Sequence, residues 1–261
     1  MNKIAICGKG GSGKSVVTSL LANGLKQKGW KVLVVDSDES NTGLYRMLGF
    51  RHSPEPLIDY MGGKKRVEDE ISTRIKSGVP EHLVNIMLQK ITVGEIPSNY
   101  ILEKDGIKLV SIGKILMALE GCACPLGVVN RSFLKGLELQ DSEIAVIDME
   151  AGVEHFGRGI EASVDCVLMV VEPSLDSVEV AERIGNLSSQ IKIGDVWAIL
   201  NKVANDEIAD AVTAALKTRG VSVIGTVHYS KEIFESCLKG HSLSGQTVQR
   251  DIKKILDFLF P

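Results

Sequence analysis

The 261-residue chain has no apolar run of membrane-spanning length, no long basic stretch, no internal repeat and no low-complexity linker. The first absence excludes a helical membrane span. Lysines and arginines number 30 against 33 acidic residues, a formal net charge of −3. Such a balance carries no footprint for a polyanion, so neither a nucleic-acid nor a membrane partner is expected. The chain runs from Met1 directly into a strand pattern, without the charged and apolar leader of a secreted precursor. A cytoplasmic location is the expectation. Cysteine is scarce as well: Cys7, Cys122, Cys124, Cys166 and Cys237 make an odd set that specifies no disulfide framework. Cys7 and Cys166 stand inside apolar runs and read as small buried hydrophobes.

What is present is alternation. KIAICG, KVLVVD, GIKLVSIG, EIAVIDM, DCVLMVVE, DVWAILN and VSVIGTVH are short runs rich in Val, Ile and Leu. Near-continuous apolar character marks parallel strands buried on both faces. Amphipathic segments separate them, the first carrying Val17, Leu20, Leu21 and Leu25 at helical spacing. The pattern predicts an α/β fold, a single doubly wound and mostly parallel sheet. Residues 51–98 break the rhythm with polar, helical text, and YILEKDGIKLVSIG then gives two strand-like runs about Asp105-Gly106. Residues 51–113 are therefore read as a helical and hairpin insertion packed on the main sheet.

The stretch Gly8-Lys9-Gly10-Gly11-Ser12-Gly13-Lys14-Ser15 satisfies two patterns at once. Gly8, Gly10 and Gly13 fit G-x-G-x-x-G, a dinucleotide fingerprint, and Gly8, Gly13, Lys14 and Ser15 fit G-x-x-x-x-G-K-[ST], a triphosphate loop. The first pattern wants an acid roughly 20 residues on, and Asp36 stands near that place. It has no use for Lys14-Ser15. A triphosphate loop does: Lys14 reaches the β- and γ-phosphates and the Ser15 hydroxyl ligates Mg²⁺. EIAVIDMEAG supplies the second requirement, a strand closing on Asp148 to hold Mg²⁺ through water. Gly152 follows where a backbone N–H can meet the γ-phosphate. The combination selects a triphosphate over a hydride carrier.

With Lys9 inside it, the loop resembles the deviant Walker A motif of the MinD, ParA and nitrogenase-iron-protein class of dimerising ATPases. The resemblance implies a homodimer in which Lys9 crosses to the partner's phosphates. It likewise implies that VVDSDES is a first switch, with Asp38 directing the attacking water and Asp36 near Mg²⁺, and that DMEAG opens a second. Asn201 in ILNKV, with Lys202 beside it, matches the base-contacting position. His228 and Tyr229 fall where the class packs a loop against the base, although a proline is usual there.

GCACP sets Cys122 and Cys124 one residue apart, between Gly121 and Pro125. In extended backbone, residues i and i+2 point the same way. By spacing alone the pair fits packing, a redox couple or a metal; two thiolates leave a soft-metal site half built, since zinc takes about four ligands. A two-fold axis would supply the rest. "SIGKI…GCACP", "DMEAGVEHFGRG" and "VVEPSLDSVEVAERI" together resemble the nickel-insertion ATPases that mature carbon monoxide dehydrogenase, and the related factor serving acetyl-CoA synthase. That resemblance implies Ni²⁺ or Zn²⁺ held at a dimer interface by Cys122 and Cys124 of both subunits, and delivered to the client enzyme. His155 reads as part of the second switch, or as a surface or core histidine, and not as a metal ligand.

Two other functions fit parts of the text. A positioning ATPase of the MinD/ParA kind would use a basic amphipathic tail, and IKKILDFLFP is the one candidate, read here as a packed final helix. An iron–sulfur reductase would share a cluster between subunits, but its ligands stand far apart in sequence.

Overall fold

The computed structural model describes the chain except for residues 81–82, 88, 116–123, 154–155, 157–158, 160–162 and 244–247, and except for the side chain of residue 124. Ten strands are formed among the described residues: β1 (Lys3–Gly8), β2 (Lys31–Asp36), β3 (Ile91–Thr92), β4 (Leu102–Lys104), β5 (Ile107–Ser111), β6 (Leu137–Glu138), β7 (Glu143–Asp148), β8 (Cys166–Val171), β9 (Asp195–Val203) and β10 (Val223–His228). Eight of them make one sheet in the order β10-β9-β8-β1-β7-β2-β5-β4. Every pairing in it is parallel except β4 with β5. The remaining two, β3 and β6, pair only with each other.

Alternate residues of each central strand enter different cores. Ile4 and Ile6 of β1, with Val32 and Val34 of β2, face α1 (Lys14–Gln27) and α9 (Gln249–Leu259). Ala5, Cys7, Leu33 and Val35 face the opposite layer, which holds α5 (Cys124–Gly136), α6 (Leu175–Gln190) and α7 (Asp206–Lys217). Both faces are covered, which is why the strands read as unbroken apolar runs. Each fully buried Ile, Leu or Val contributes about 1.5–3 kcal/mol of transfer free energy.

The hairpin forms as expected: Asp105 and Gly106 take φ of 50° and 80°, the paired left-handed conformations of a type I′ turn. Its placement decides between two readings of GIKLVSIG, as a parallel strand and as part of an insertion over residues 51–113, in favour of the first. β5 pairs in parallel with β2 over Val32–Asp36, so it is a strand of the main sheet, and β4 is its antiparallel edge. The text could not show this, because hydrophobic pattern does not name a strand's neighbour. Residues 51–98 carry the one-turn α3 (Leu57–Tyr60), the longer α4 (Lys64–Lys76) and β3, with α2 (Leu44–Met47) before them and α8 (Lys231–Lys239) before α9. α4 buries Val67 and Ile71, four residues apart, and turns its charged side outward.

The chain's last helix is part of the core. Ile252, Ile255 and Leu256 of α9 are buried against α1 and β10. Gly24 permits the approach: a Cβ there would stand 2.6 Å from Leu256 Cδ1 and 2.8 Å from Ile252 Cγ2. Gly24→Val therefore overpacks this seam and is expected to lower the unfolding free energy by about 1–3 kcal/mol, read by urea denaturation. An unchanged midpoint would show that α9 is not held at this contact.

Candidate nucleotide site

The order of strands sets the site. The chain moves from β1 outward to β2, returns to β7 between them, and crosses to β8 on the other side of β1. In such sheets ligands bind beyond the carboxyl ends of the strands, where the order reverses. Two of the predicted residues, Asp36 and Asp148, meet there. Asp36 pairs with Asp148 in the β2–β7 register, and Ile6 of β1 pairs with Asp148 on its other side. β1 then feeds Gly8–Ser15 across the same ends.

Glycine is obligatory at two points of that loop. Gly8 has φ 140°, and a Cβ on it would lie 2.5 Å from the Val170 carbonyl oxygen. Gly13 has φ 96° and would collide with the Asn201 amide. The turn closes with Ser12 N–H donating to Lys9 O at 3.2 Å, and α1 begins as Val17 N–H donates to Gly13 O at 3.0 Å. A helix start of this kind aims N–H groups at an anion. Lys14 and Ser15 are buried in the first turn.

The Ser15 hydroxyl donates to Asp148 Oδ2 at 2.5 Å and accepts from Asn41 Nδ2 at 2.5 Å. Thr18, one turn along the helix, donates to Asp148 Oδ1 at 3.3 Å. Asp36 receives the Lys114 ammonium at 2.7 Å on Oδ1. Burial pushes the Asp148 carboxyl up to about 7, with Asp36 adding repulsion and the Ser15 hydroxyl and Lys14 opposing it. Burial also pushes Asp36 up to about 6, against the pull of Lys114. Two carboxyls facing each other in the dry interior are thus short of positive charge. One hydroxyl and two carboxylates are hard oxygen donors, the set that suits Mg²⁺, so these residues fit the ion.

The remaining predicted residues surround this centre in specific ways. Asp38 is buried, and its Oδ1 accepts from Ser40 N–H at 3.0 Å, Ser40 Oγ at 2.6 Å and Asn41 N–H at 3.2 Å. It shapes the loop that brings Asn41 to Ser15. Gly152 N–H donates to Gly8 O at 3.2 Å, which lays the turn after Asp148 against the loop. Asn201 Nδ2 donates to Ser12 O at 2.8 Å. Lys202, at φ 60°, donates to Gly11 O and pairs with Glu172 at 3.0 Å. Both side chains therefore brace the loop from below.

Lys9 lies 3.6 Å from Glu172 and 3.5 Å from Asp176 of its own chain. With about a third of its side chain exposed, such pairs contribute only ~0–1 kcal/mol and release easily. The His228 ring nitrogens stand 2.9 Å from Asp251 Oδ2 and 3.3 Å from Asp206 Oδ1. The Asp251 bond raises its pKa. Tyr229 is exposed, its ring centroid 6.5 Å from that of Phe234.

Cys122, the Cys124 side chain and His155 lie outside the described residues. Among the described residues no group of three His, Cys, Asp or Glu side chains could hold a metal ion. Cys7 and Cys166 are buried as expected, and burial pushes the Cys166 thiol up to about 12.

Sequence reading missed Thr18, Asn41, Lys114 and Glu172. Thr18 was findable, since i+3 from Ser15 shares its helix face. Asn41, Lys114 and Glu172 reach the site through tertiary contacts that leave no spacing signal.

Comparison with known proteins agrees with this geometry. Residues 3–243 match the CobQ/CobB/MinD/ParA nucleotide-binding domain. An uncharacterised ATP-binding protein of Methanocaldococcus jannaschii is 39% identical over 258 residues, 98% of this chain and 99% of that one. The carbon monoxide dehydrogenase accessory protein of Rhodospirillum rubrum is 34% identical over 206 residues, 78% of this chain and 75% of its own. In fold, the septum site-determining protein MinD of Pyrococcus horikoshii, solved with Mg-ADP, superposes with a TM-score of 0.67 at 18% identity, covering 99% of this chain and 96% of that one. By sequence match and by the site its strands build, the chain belongs to the CobQ/CobB/MinD/ParA nucleotide-binding family.

Proposed function

We propose that the protein is a homodimeric ATPase that carries nickel to carbon monoxide dehydrogenase or acetyl-CoA synthase, its cargo held by Cys122 and Cys124 of two subunits. The observation that carries the ATPase part is the Ser15 hydroxyl fixed between Asn41 and the buried Asp148, with Asp36 opposite. The nickel part is supported by the 34% identity to a carbon monoxide dehydrogenase accessory protein. The setting is the cytoplasm and the whole chain acts as one nucleotide-binding unit.

In this reading Gly8, Lys9, Gly10, Gly11, Ser12 and Gly13 wrap the phosphates with backbone N–H groups, and Lys14 neutralises them from the helix start. Magnesium, held by Ser15, Asp36 and Asp148, would supply charge neutralisation on the phosphate oxygens. Asp38 orients water for attack, and Lys9 leaves Glu172 and Asp176 to reach the partner subunit's nucleotide. Charge supplied across an interface in this way can be worth ~10³–10⁵ in rate. The Gly152 N–H exchanges Gly8 O for a phosphate oxygen, so the second switch responds to γ-phosphate. Asn201 and Lys202 support the base side of the loop, and Tyr229 and His228 border it. Alternation between closed and open dimers would couple hydrolysis to release of Ni²⁺, with Zn²⁺ as the ion that competes for the thiolates.

A MinD-like positioning role is the second reading, favoured by 23% identity over 250 residues to the septum site-determining protein MinD of Synechocystis. The burial of Ile252, Ile255 and Leu256 argues against an apolar tail left over for lipid. Cosedimentation with anionic liposomes in the presence of ATP separates the two readings. Nucleotide-dependent pelleting would favour positioning.

Two outcomes follow. Asp148→Asn removes a charge held in a dry site. Its folded pKa lies above the unfolded value of 3.8, so the native protein binds more protons between about pH 4 and 7 and loses stability as pH rises through that window. At pH 8 the variant is expected to be more stable by about 1–2 kcal/mol, on the order of 2–8 °C in Tm, and to lose ATP hydrolysis by at least ~10²-fold. A lower Tm with activity retained would remove Asp148 from the site. Replacing Cys122 and Cys124 together by serine is expected to abolish Ni²⁺ and Zn²⁺ binding while ATP binding persists. Metal binding at wild-type stoichiometry in that double variant would end the metal-delivery reading.

A further inference from the structure

The strand pair β9–β10 contains an irregularity on which the phosphate loop leans. Val227 pairs with Asn201 but His228 pairs with Val203, so Lys202 is left over as a bulge, at φ 60°. A bulge re-aims side chains that a regular ladder would direct elsewhere. Both Asn201 and Lys202 reach the loop from it, the first through the Ser12 carbonyl at 2.8 Å and the second through the Gly11 carbonyl. Across the bulge, β10 ends in His228. Its backbone N–H donates to Asp251 Oδ2 at 3.0 Å, its Nδ1 stands 2.9 Å from the same oxygen, and its Nε2 stands 3.3 Å from Asp206 Oδ1. Tyr229 N–H then donates to the Val203 carbonyl at 2.8 Å, which closes the far side of the bulge. Asp206 is the first residue of α7 and Asp251 lies in the first turn of α9, so one ring joins two helix starts to the strand end. A neutral imidazole has one N–H and one lone pair, and can donate to only one of two carboxylates. Its other nitrogen would then turn a lone pair toward an anionic oxygen. The imidazolium donates from both nitrogens and fits both partners.

We propose that His228 is an imidazolium clasped between Asp251 and Asp206, and that this clasp fixes the β9–β10 bulge from which Asn201 and Lys202 hold the phosphate loop. The inference rests on the nucleotide part of the function proposed above and on nothing about a cargo metal. In this role His228 acts through the bulge and is a positioning residue. The two limbs are unequal. Asp251 is 15% exposed and takes both the ring and the backbone N–H, whereas Asp206 is 94% exposed and is screened by water and salt. The Asp251 bond raises the His228 pKa above its ordinary 6.5, burial opposes that rise, and Asp206 adds to it. The neighbouring cations are engaged elsewhere: Lys202 with Gly11 and Glu172, Lys231 of α8 with Glu235, and Arg250 along the groove between α1 and α9. Residues 244–247, just before α9, include no titratable side chain. A group whose pKa rises on folding stabilises fully below its unfolded value and loses that contribution as pH passes its folded value. The clasp therefore holds the bulge near pH 6 and relaxes above the folded pKa of His228.

The test follows imidazole and amide resonances of the full chain by NMR between about pH 6 and 9. The imidazole signal missing from His228→Gln belongs to His228. It is expected to titrate above 6.5, and Asp251→Asn is expected to bring it back toward that value. The backbone amides of Gly11 and Ser12 and the side-chain amide of Asn201 are expected to shift at the same pH in the parent and not in His228→Gln. Asp36 and Asp148 titrate in a neighbouring range, so the reading is the difference between the two proteins at each pH. Mg·ADP binding is then measured by calorimetry. His228→Gln is expected to bind severalfold more weakly than the parent near pH 6 and equally well above the His228 pKa. A merely structural defect would weaken binding at every pH. A His228 pKa at or below 6.5, or loop amides and affinities whose pH response is the same in both proteins, would overturn the proposal. If Mg·ADP binds at no pH, the nucleotide reading fails, and the loop amides alone decide whether the clasp stands.

Discussion

Everything around the nucleotide site depends on two carboxylates that the sheet forces together. Asp36 and Asp148 are register partners on adjacent parallel strands, so their separation is fixed by strand spacing and not by side-chain choice. Both lie at the carboxyl end, where β1 turns into the phosphate loop. Burial makes their charge unfavourable, and the neighbours that moderate it are Ser15, Lys14 and Lys114. A site in this condition holds free energy that a divalent cation can release. The rigid β-strands keep it from relaxing in any other way. Stability is given up at the point where binding is wanted, as functional sites commonly require.

The supports of the loop show the same division between a fixed scaffold and exchangeable contacts. Asn201, buried at the end of β9, holds the Ser12 carbonyl and forbids a side chain at position 13. Glu172, at the end of β8, receives both Lys9 and Lys202. The first contact is dry and structural. The second is half in water and can be exchanged, which is what a lysine needs if it is to serve a partner's phosphates. Gly152, whose N–H is bonded to Gly8 O, ties the turn after Asp148 to the loop, and in the proposed function it trades that bond for one to phosphate.

How much of this was legible in the sequence follows from the range of the interactions. The strands, the phosphate loop, and Asp36 and Asp148 at strand ends were readable because each is written in fewer than ten consecutive residues. The Asp105-Gly106 turn was readable for the same reason. Its second strand was read both as a parallel strand and as part of an insertion, because joining β2 is a decision of the whole sheet. The base-facing assignment of His228 drew on a resemblance, and the carboxylates of Asp251 and Asp206 that face its ring come from two helices distant in sequence. Lys114, Asn41 and Glu172 had no local signature, and they join the site only when the sheet is assembled. Cys122 and Cys124 remain known by their text alone.

The central claim is that Asp148 is a buried, partly protonated carboxyl awaiting a magnesium–nucleotide complex. It is tested most directly by calorimetry of Mg·ADP binding in buffers of different ionisation enthalpy, which counts the protons exchanged. Near pH 6.5 binding is expected to release protons in excess of those released by Asp148→Asn, and the excess should vanish above pH 8. An equal proton count for the two proteins across that range would contradict the account.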